Sequence, residues 1–190
     1  MKGSVTIALA CCLAIYPSIV TAAPSIAGVE LWRGLRSGDT MEQVREQRPN
    51  SEQEHFSGFP STFLNVAPQN INDADSLAGE DIFDGRPTRV AFVFKNDRLK
   101  DVILTLHDVT SDDATNIAVF DDIVKYITRI YGSASKCDRT SLPKLGTWTN
   151  YMCVWIVDNL RLDVLYLNMN RLPVLTVSYH ADGSSFSNAR

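Results

Sequence analysis

Three histidines, His55, His107 and His180, are the side chains whose ordinary titration falls nearest neutral pH, and any acid–base chemistry would centre on them. They lie on three separate segments. His107 and His180 each end a predicted strand, so they meet only if those strands are neighbours. Paired with an acid from the stretch Asp73-Ala74-Asp75 through Glu80-Asp81 to Asp84, either could form the proton-transfer pair of a small hydrolase. A nucleophile to go with it is not evident. Gly34-Leu35-Arg36-Ser37-Gly38 is out of register with a Gly-x-Ser-x-Gly elbow. There is no His-Glu-x-x-His, no phosphate-binding glycine loop and no dinucleotide fingerprint. The reading is no catalytic residues and no cofactor. The acidic stretch supplies oxygen ligands suited to calcium but lacks the regular Asp-x-Asp-x-Asp-Gly order, so it is read as a solvated loop without a metal.

Four cysteines are present. Cys11 and Cys12 fall in an N-terminal segment with the marks of a secretory signal peptide, residues 1–23. Lys2 gives the positive start, Val5 to Ile15 is almost wholly apolar, and Val20-Thr21-Ala22-Ala23 supplies small residues for cleavage. The apolar run is short for a membrane span of about 20 residues, so the mature chain is expected to have none. Ala8-Leu9-Ala10 sets its leucine one place too late for lipidation at Cys11. A periplasmic or secreted location after cleavage near Ala22-Ala23 follows. Cys137 and Cys153 then remain as an even pair in an oxidising compartment, where a disulfide is the expected state. Two cysteines with no clustered histidine make a poor zinc site.

The formal net charge of −4 argues against a nucleic-acid partner, which would require a basic stripe. About 170 mature residues suit one domain with a sizeable core.

The elements follow from capping and periodicity. Thr40 and Gln43 form a capping-box pattern at the start of a short helix that Pro49 stops, with Met41 and Val44 inward. Residues 49–87 read as one long irregular stretch with a strand only at Ser61 to Ala67, and such stretches are usually functional. Arg89 to Phe94 alternates, Asn96-Asp97 makes a two-residue turn, and Arg98 to Leu106 returns. Ser111 to Tyr131 is the strongest helix, with Ile117, Phe120, Val124, Ile127 and Tyr131 in one stripe and Gly132 as a left-handed cap. Thr147 to Val157 and Leu160 to Leu167 flank a second hairpin turn at Asp158-Asn159, and Leu172 to Tyr179 follows. Residues 182–190 read as a disordered tail. Tyr151, Cys153 and Trp155 share one strand face, expected in the core, while Trp148 lies on the opposite parity and is the candidate exposed anchor.

Helix, strands, helix, strands in that order suggests two helix-plus-meander units, about 37–107 and 111–180, within a 24–181 domain. The expected fold class is α+β: two principal helices on an antiparallel sheet. Gly38-Asp39-Thr40-Met41-Glu42-Gln43-Val44 resembles the Gly-Met-Thr-x-x-x-Val helix start of the SmpA/OmlA small outer-membrane lipoproteins. Tyr131-Gly132-Ser133-Ala134 followed by Trp148 is similar to their helix-end Gly-x-Pro and later Trp. That family shares an α/β unit with the secreted β-lactamase inhibitor protein, in which it occurs twice. The resemblance implies a scaffold of this kind in the cell envelope. This chain departs in lacking a lipidation cysteine and in carrying Ala134 where proline is usual.

The functional expectation is a non-enzymatic envelope or secreted protein that binds another protein, as an inhibitor, immunity factor or assembly accessory. Phe56, Phe59 and Phe63 would be apolar anchors, Asp73, Asp75, Glu80 and Asp81 an acidic rim for a basic partner, and Trp148 a further contact. The alternatives are the small hydrolase described above and a small-ligand carrier.

Overall fold

The computed structural model describes residues 28–55, 75–141, 148–169 and 171–181. The leader 1–23, Phe56, Phe59, Phe63, Asp73, the strand expected at 61–67 and the tail 182–190 lie outside them. In chain order the elements are β1 (Glu30–Trp32), β2 (Leu35–Arg36), α1 (Met41–Gln47), β3 (Glu52–His55), β4 (Asp75–Phe83), β5 (Arg86–Lys95), β6 (Arg98–Leu106), α2 (Asp113–Tyr131), β7 (Lys136–Ser141), β8 (Trp148–Val157), β9 (Leu160–Met169) and β10 (Leu172–His180).

Local chemistry sets the ends of these elements. The Gln43 amide donates to Thr40 Oγ1 at 3.2 Å and the Thr40 amide to Gln43 Oε1 at 2.8 Å, which completes the capping box of α1. Asp112 caps α2 by accepting from the Thr115 amide at 3.0 Å. At its other end Gly132 has φ 85° with ψ −168°, an extended backbone of a kind open to glycine rather than a left-handed helical cap. The Gly132 carbonyl accepts the Trp155 indole N–H at 2.9 Å, tying the helix end to the core. Asn96 and Asp97 both take positive φ in the β5–β6 turn.

Strands β3 to β10 form one antiparallel sheet in the order β3-β4-β5-β6-β10-β9-β8-β7, two four-stranded meanders whose last strands meet. The meeting ladder is short, Asp101–Thr105 against Thr176–His180. Register lines the core into cross-strand rows. Leu77, Phe92, Val102, Tyr179, Leu162 and Trp155 make one row across six strands, all nearly inaccessible. The next runs Gly79, Val90, Leu104, Val177, Val164, Cys153 and Cys137. Phe120, Ile123 and Ile127 of α2, Val44 of α1, and Leu31, Trp32 and Leu35 of the β1–β2 hairpin all join this core. Trp32 packs on Tyr179 and Phe83 at centroid distances of 5.6 and 5.8 Å.

Several expectations need correction. The α+β class with two principal helices does not hold. The described chain is mostly β, 56% strand, with a single eight-stranded sheet and two helices. Of these, α1 has 7 residues and one fully buried side chain, Val44, too little apolar surface to form a layer. The 49–87 stretch is not one irregular segment, because β3, β4 and the start of β5 fall within it. β4 carries the buried Leu77 and Phe83, so this part of the stretch is a sheet strand that contributes to the core. The buried line of α2 is Asn116, Phe120, Ile123 and Ile127, rotated from the expected stripe, with Ile117, Val124 and Tyr131 flanking it.

Candidate functional site

Both helices and the β1–β2 hairpin pack on one face of the sheet. No helix or strand among the described residues lies on the second face, yet Ser76, Val93, Thr176, Arg161 and Leu167 there are buried, and its exposed apolar side chains sit toward the strand ends. The side chains of that second face alternate with those of the core.

In the middle of the strand order, at one end of the strands, sits a charged group drawn from β6, β10 and β9. His180 on β10 pairs in register with Asp101 on β6 and Arg161 on β9. Its Nδ1 lies 2.7 Å from Asp101 Oδ1 and its Nε2 3.4 Å from Asp163 Oδ2. Arg161 Nε donates to both oxygens of Asp163, at 2.9 and 3.2 Å, and its side chain is only 5% exposed. Burial alone would push the His180 imidazole down, but the two carboxylates outweigh it and raise it to about 9. Burial likewise pushes Asp163 up, and hydrogen bonds from His180 and Arg161 bring it below the usual carboxylate range.

The rim carries the exposed apolar groups. Leu172, Met169 and Trp148 form one cross-strand row on β10, β9 and β8, with Leu172 73% and Trp148 38% exposed. Ile156, beside Arg161 in register, is 52% exposed. On the far side, Glu52 and Glu54 of β3 and Glu80 of β4 make an acidic edge around Arg89, whose guanidinium bonds Glu54 and is raised by that bond.

The expected site residues divide. Trp148 lies on the second face, at its exposed end. Glu80 is on the same face, its carboxylate 2.7 Å from His107 Nε2. Asp75 opens β4 and is exposed. Asp81 points to the opposite face, where it accepts from the Trp32 indole at 3.2 Å and from Arg33 at 2.6 Å, so it takes no part in an acidic rim. Phe56, Phe59, Phe63 and Asp73 lie outside the described residues. His107 and His180 do not meet. His180 opposes Asp101, and His107 lies six residues beyond Asp101, about 20 Å at about 3.4 Å per residue. Among the described residues neither histidine is hydrogen-bonded to a hydroxyl or thiol, so no activated nucleophile accompanies them. The Arg161–Asp163–His180–Asp101 cluster was not anticipated. Sequence parity places Arg161 and Asp163 on one face, and His180 follows on the next strand, but Asp101 comes from β6, about sixty residues earlier than Arg161, through a pairing that the sequence does not announce.

A cleft of about 160 Å³ lies between the end of α1 and β4–β5, lined by Arg48, Asn50, Ser51, Asp81, Val90 and Phe92. That is below the roughly 300 Å³ usual for ligand sites. No helix among the described residues is long and apolar enough to cross a membrane, and no cluster of three potential metal ligands occurs among them.

Cys137 and Cys153 form a disulfide across the β7–β8 ladder. Every residue of the edge strand β7 is exposed, so burial contributes little to holding it. Its other ties are the ladder and Arg139, which bonds Asp121 and lies over the rings of Phe120 and Tyr151. Cys137→Ser should lower stability by about 2–4 kcal/mol. Urea denaturation of oxidised wild type and variant checks this, and coincident curves would show that the crosslink constrains nothing.

No family model, curated protein or solved structure matches the chain.

Proposed function

We propose that the chain is a non-enzymatic protein-binding domain of the envelope or secreted space, which engages a partner at the Trp148 end of the second face of its sheet. The observation that carries this reading is the cross-strand row Trp148–Met169–Leu172, in which Leu172 is 73% and Trp148 38% exposed, on a sheet face that carries no described helix or strand. Exposed aromatic and aliphatic side chains clustered on a rigid sheet are the usual makings of an interface. The acidic edge of Glu52, Glu54 and Glu80 suits a basic rim on the partner and a salt-sensitive association rate. Export rests on the features of residues 1–23 and on the disulfide, and the Gly38 to Val44 resemblance favours the envelope.

The histidines give the hydrolase alternative little support. Both nitrogens of His180 face carboxylates, so the ring has no free lone pair with which to act as a base. His107 and Glu80 form an exposed pair with no nucleophile bonded to either.

The test is crosslinking capture from an envelope extract with wild type and with the Trp148→Ala/Leu172→Asp double variant, both checked as folded by circular dichroism. Losing both anchors should reduce recovery of a specific partner at least tenfold, a change of about 1.4 kcal/mol in binding. Equal recovery would remove this face from consideration.

A further inference from the structure

The two meanders of the sheet are joined by one ladder, β6 to β10, about half the length of the β9–β10 ladder beside it. On the core face the junction is held by Val102, Leu104, Val177 and Tyr179. On the opposite face His180 spans it. The ring reaches Asp101 across the junction with Nδ1 and Asp163 on the outer neighbour with Nε2.

A neutral imidazole has one N–H and one lone pair. With a carboxylate at each nitrogen, the neutral ring must aim its lone pair at one of them, whereas the imidazolium donates to both. Charge points the same way: the imidazolium places a positive charge between Asp101 and Asp163, and the neutral ring does not. Lys100 is exposed and contributes its backbone carbonyl to Ala181, and the next residues along the row, Val93 on β5 and Ile156 on β8, carry no charge.

We propose that His180 is a proton-operated clasp across the junction of the two meanders: protonated, it ties β6 through β10 to β9, and on losing its proton it releases the β6–β10 ladder ahead of the rest of the sheet. The raised affinity of the ring for its proton, to about 9, sets the release on the alkaline side of neutrality. This device is independent of what the Trp148 end of the sheet binds.

The test needs only the intact protein. Side-chain nitrogen NMR of His180 and His107 is followed from pH 6 to 10.5, with amide exchange measured at both ends and divided by the intrinsic rate at each pH. The expected result is that His180 shows both nitrogens protonated through pH 8 and titrates above it. Corrected protection of the Val102–Leu104 and Thr176–Tyr179 amides should fall about tenfold across that titration, with protection in the β8–β9 ladder unchanged. Asp101→Asn should lower the His180 midpoint by about one pH unit or more. A ring that titrates near its ordinary value overturns the proposal, as does junction protection that is equal on both sides of the titration. Loss of protection spread evenly over the whole sheet overturns it too, since that is general unfolding.

Discussion

Asp113→Ala is expected to lower the unfolding free energy by about 3 kcal/mol, because it orphans several donors at about 1–3 kcal/mol each, partly rescued by water. Asp113 opens α2, and its carboxylate accepts from Thr149 Oγ1 at 2.7 Å, Asn168 Nδ2 at 2.9 Å and the Tyr166 hydroxyl. Asn116, buried one turn on, extends the network by donating to Tyr166 at 3.3 Å and to the Thr110 carbonyl at 2.8 Å. The negative charge also suits the positive end of the helix dipole. One carboxylate thus docks the long helix onto β8 and β9. Burial would push Asp113 up, but bonds from Asn168, Tyr166 and Thr149 outweigh it and hold the carboxyl below its ordinary value. A depressed carboxyl contributes stability above its unfolded pKa and loses it as pH falls through the folded one. The gap between wild type and variant should therefore be full at pH 7 and shrink below about pH 4. Tyr166, pushed up to about 12 by burial and by the Asp113 carboxylate, remains a donor throughout. Urea titrations at pH 7 and pH 3 read both effects. A variant as stable as wild type at pH 7 would mean that the helix is held by Phe120, Ile123 and Ile127 alone.

Local signals were legible in the sequence, and non-local pairings were not. The capping box at Thr40, the hairpin at Asn96-Asp97 and the long helix were each encoded within about four residues of one another, and each is present. Cys137 and Cys153 were expected to pair on redox compartment alone, and the β7–β8 register sets them opposite each other. β4 was missed because its inward positions are Leu77, Gly79, Asp81 and Phe83, so the apolar alternation breaks in the middle. Asp81 belongs inward only because Trp32 and Arg33, nearly fifty residues earlier, supply its hydrogen bonds. The turn was nonetheless announced by Asp84-Gly85, both at positive φ and a strong two-residue hairpin signal. Asn116 was passed over for the opposite reason. A polar residue on the buried line of a helix shifts the apparent stripe, and its partners become visible only when β9 is in place. The helix count likewise misled about class, since α1 is too short to form a layer and the strands between α1 and α2 outweigh it.

Arg161→Ala should be the most damaging single change on the sheet face opposite the helices, at about 3–5 kcal/mol, the usual cost of stripping one partner from a buried ion pair. Arg161 and Asp163 are 5% and 15% exposed, so water does little to replace the lost guanidinium. Asp163 would keep only the longer contact to His180, at 3.4 Å, while His180 is drawn more closely to Asp101 at 2.7 Å. Cost and worth are separable here. Changing both members, Arg161→Leu with Asp163→Leu, removes the carboxylate that the single variant strands and leaves His180 paired with Asp101. That double variant should lose less than the single one, within about 1–2 kcal/mol of wild type. The signs of the pH response should differ as well. In Arg161→Ala, Asp163 loses a cation that held its carboxyl down, so acid should destabilise this variant at a higher pH than wild type. The double variant has no such carboxyl and should tolerate acid better. Chemical denaturation of the three proteins at pH 7 and pH 4.5 decides between these outcomes. If the single variant is within 0.5 kcal/mol of wild type, roughly what an ordinary surface substitution costs, then Asp163 does not depend on Arg161 and the row is held by His180 alone. If the double variant is the worse of the two, the ion pair is a net stabiliser of the sheet instead of a matched cost that the fold carries.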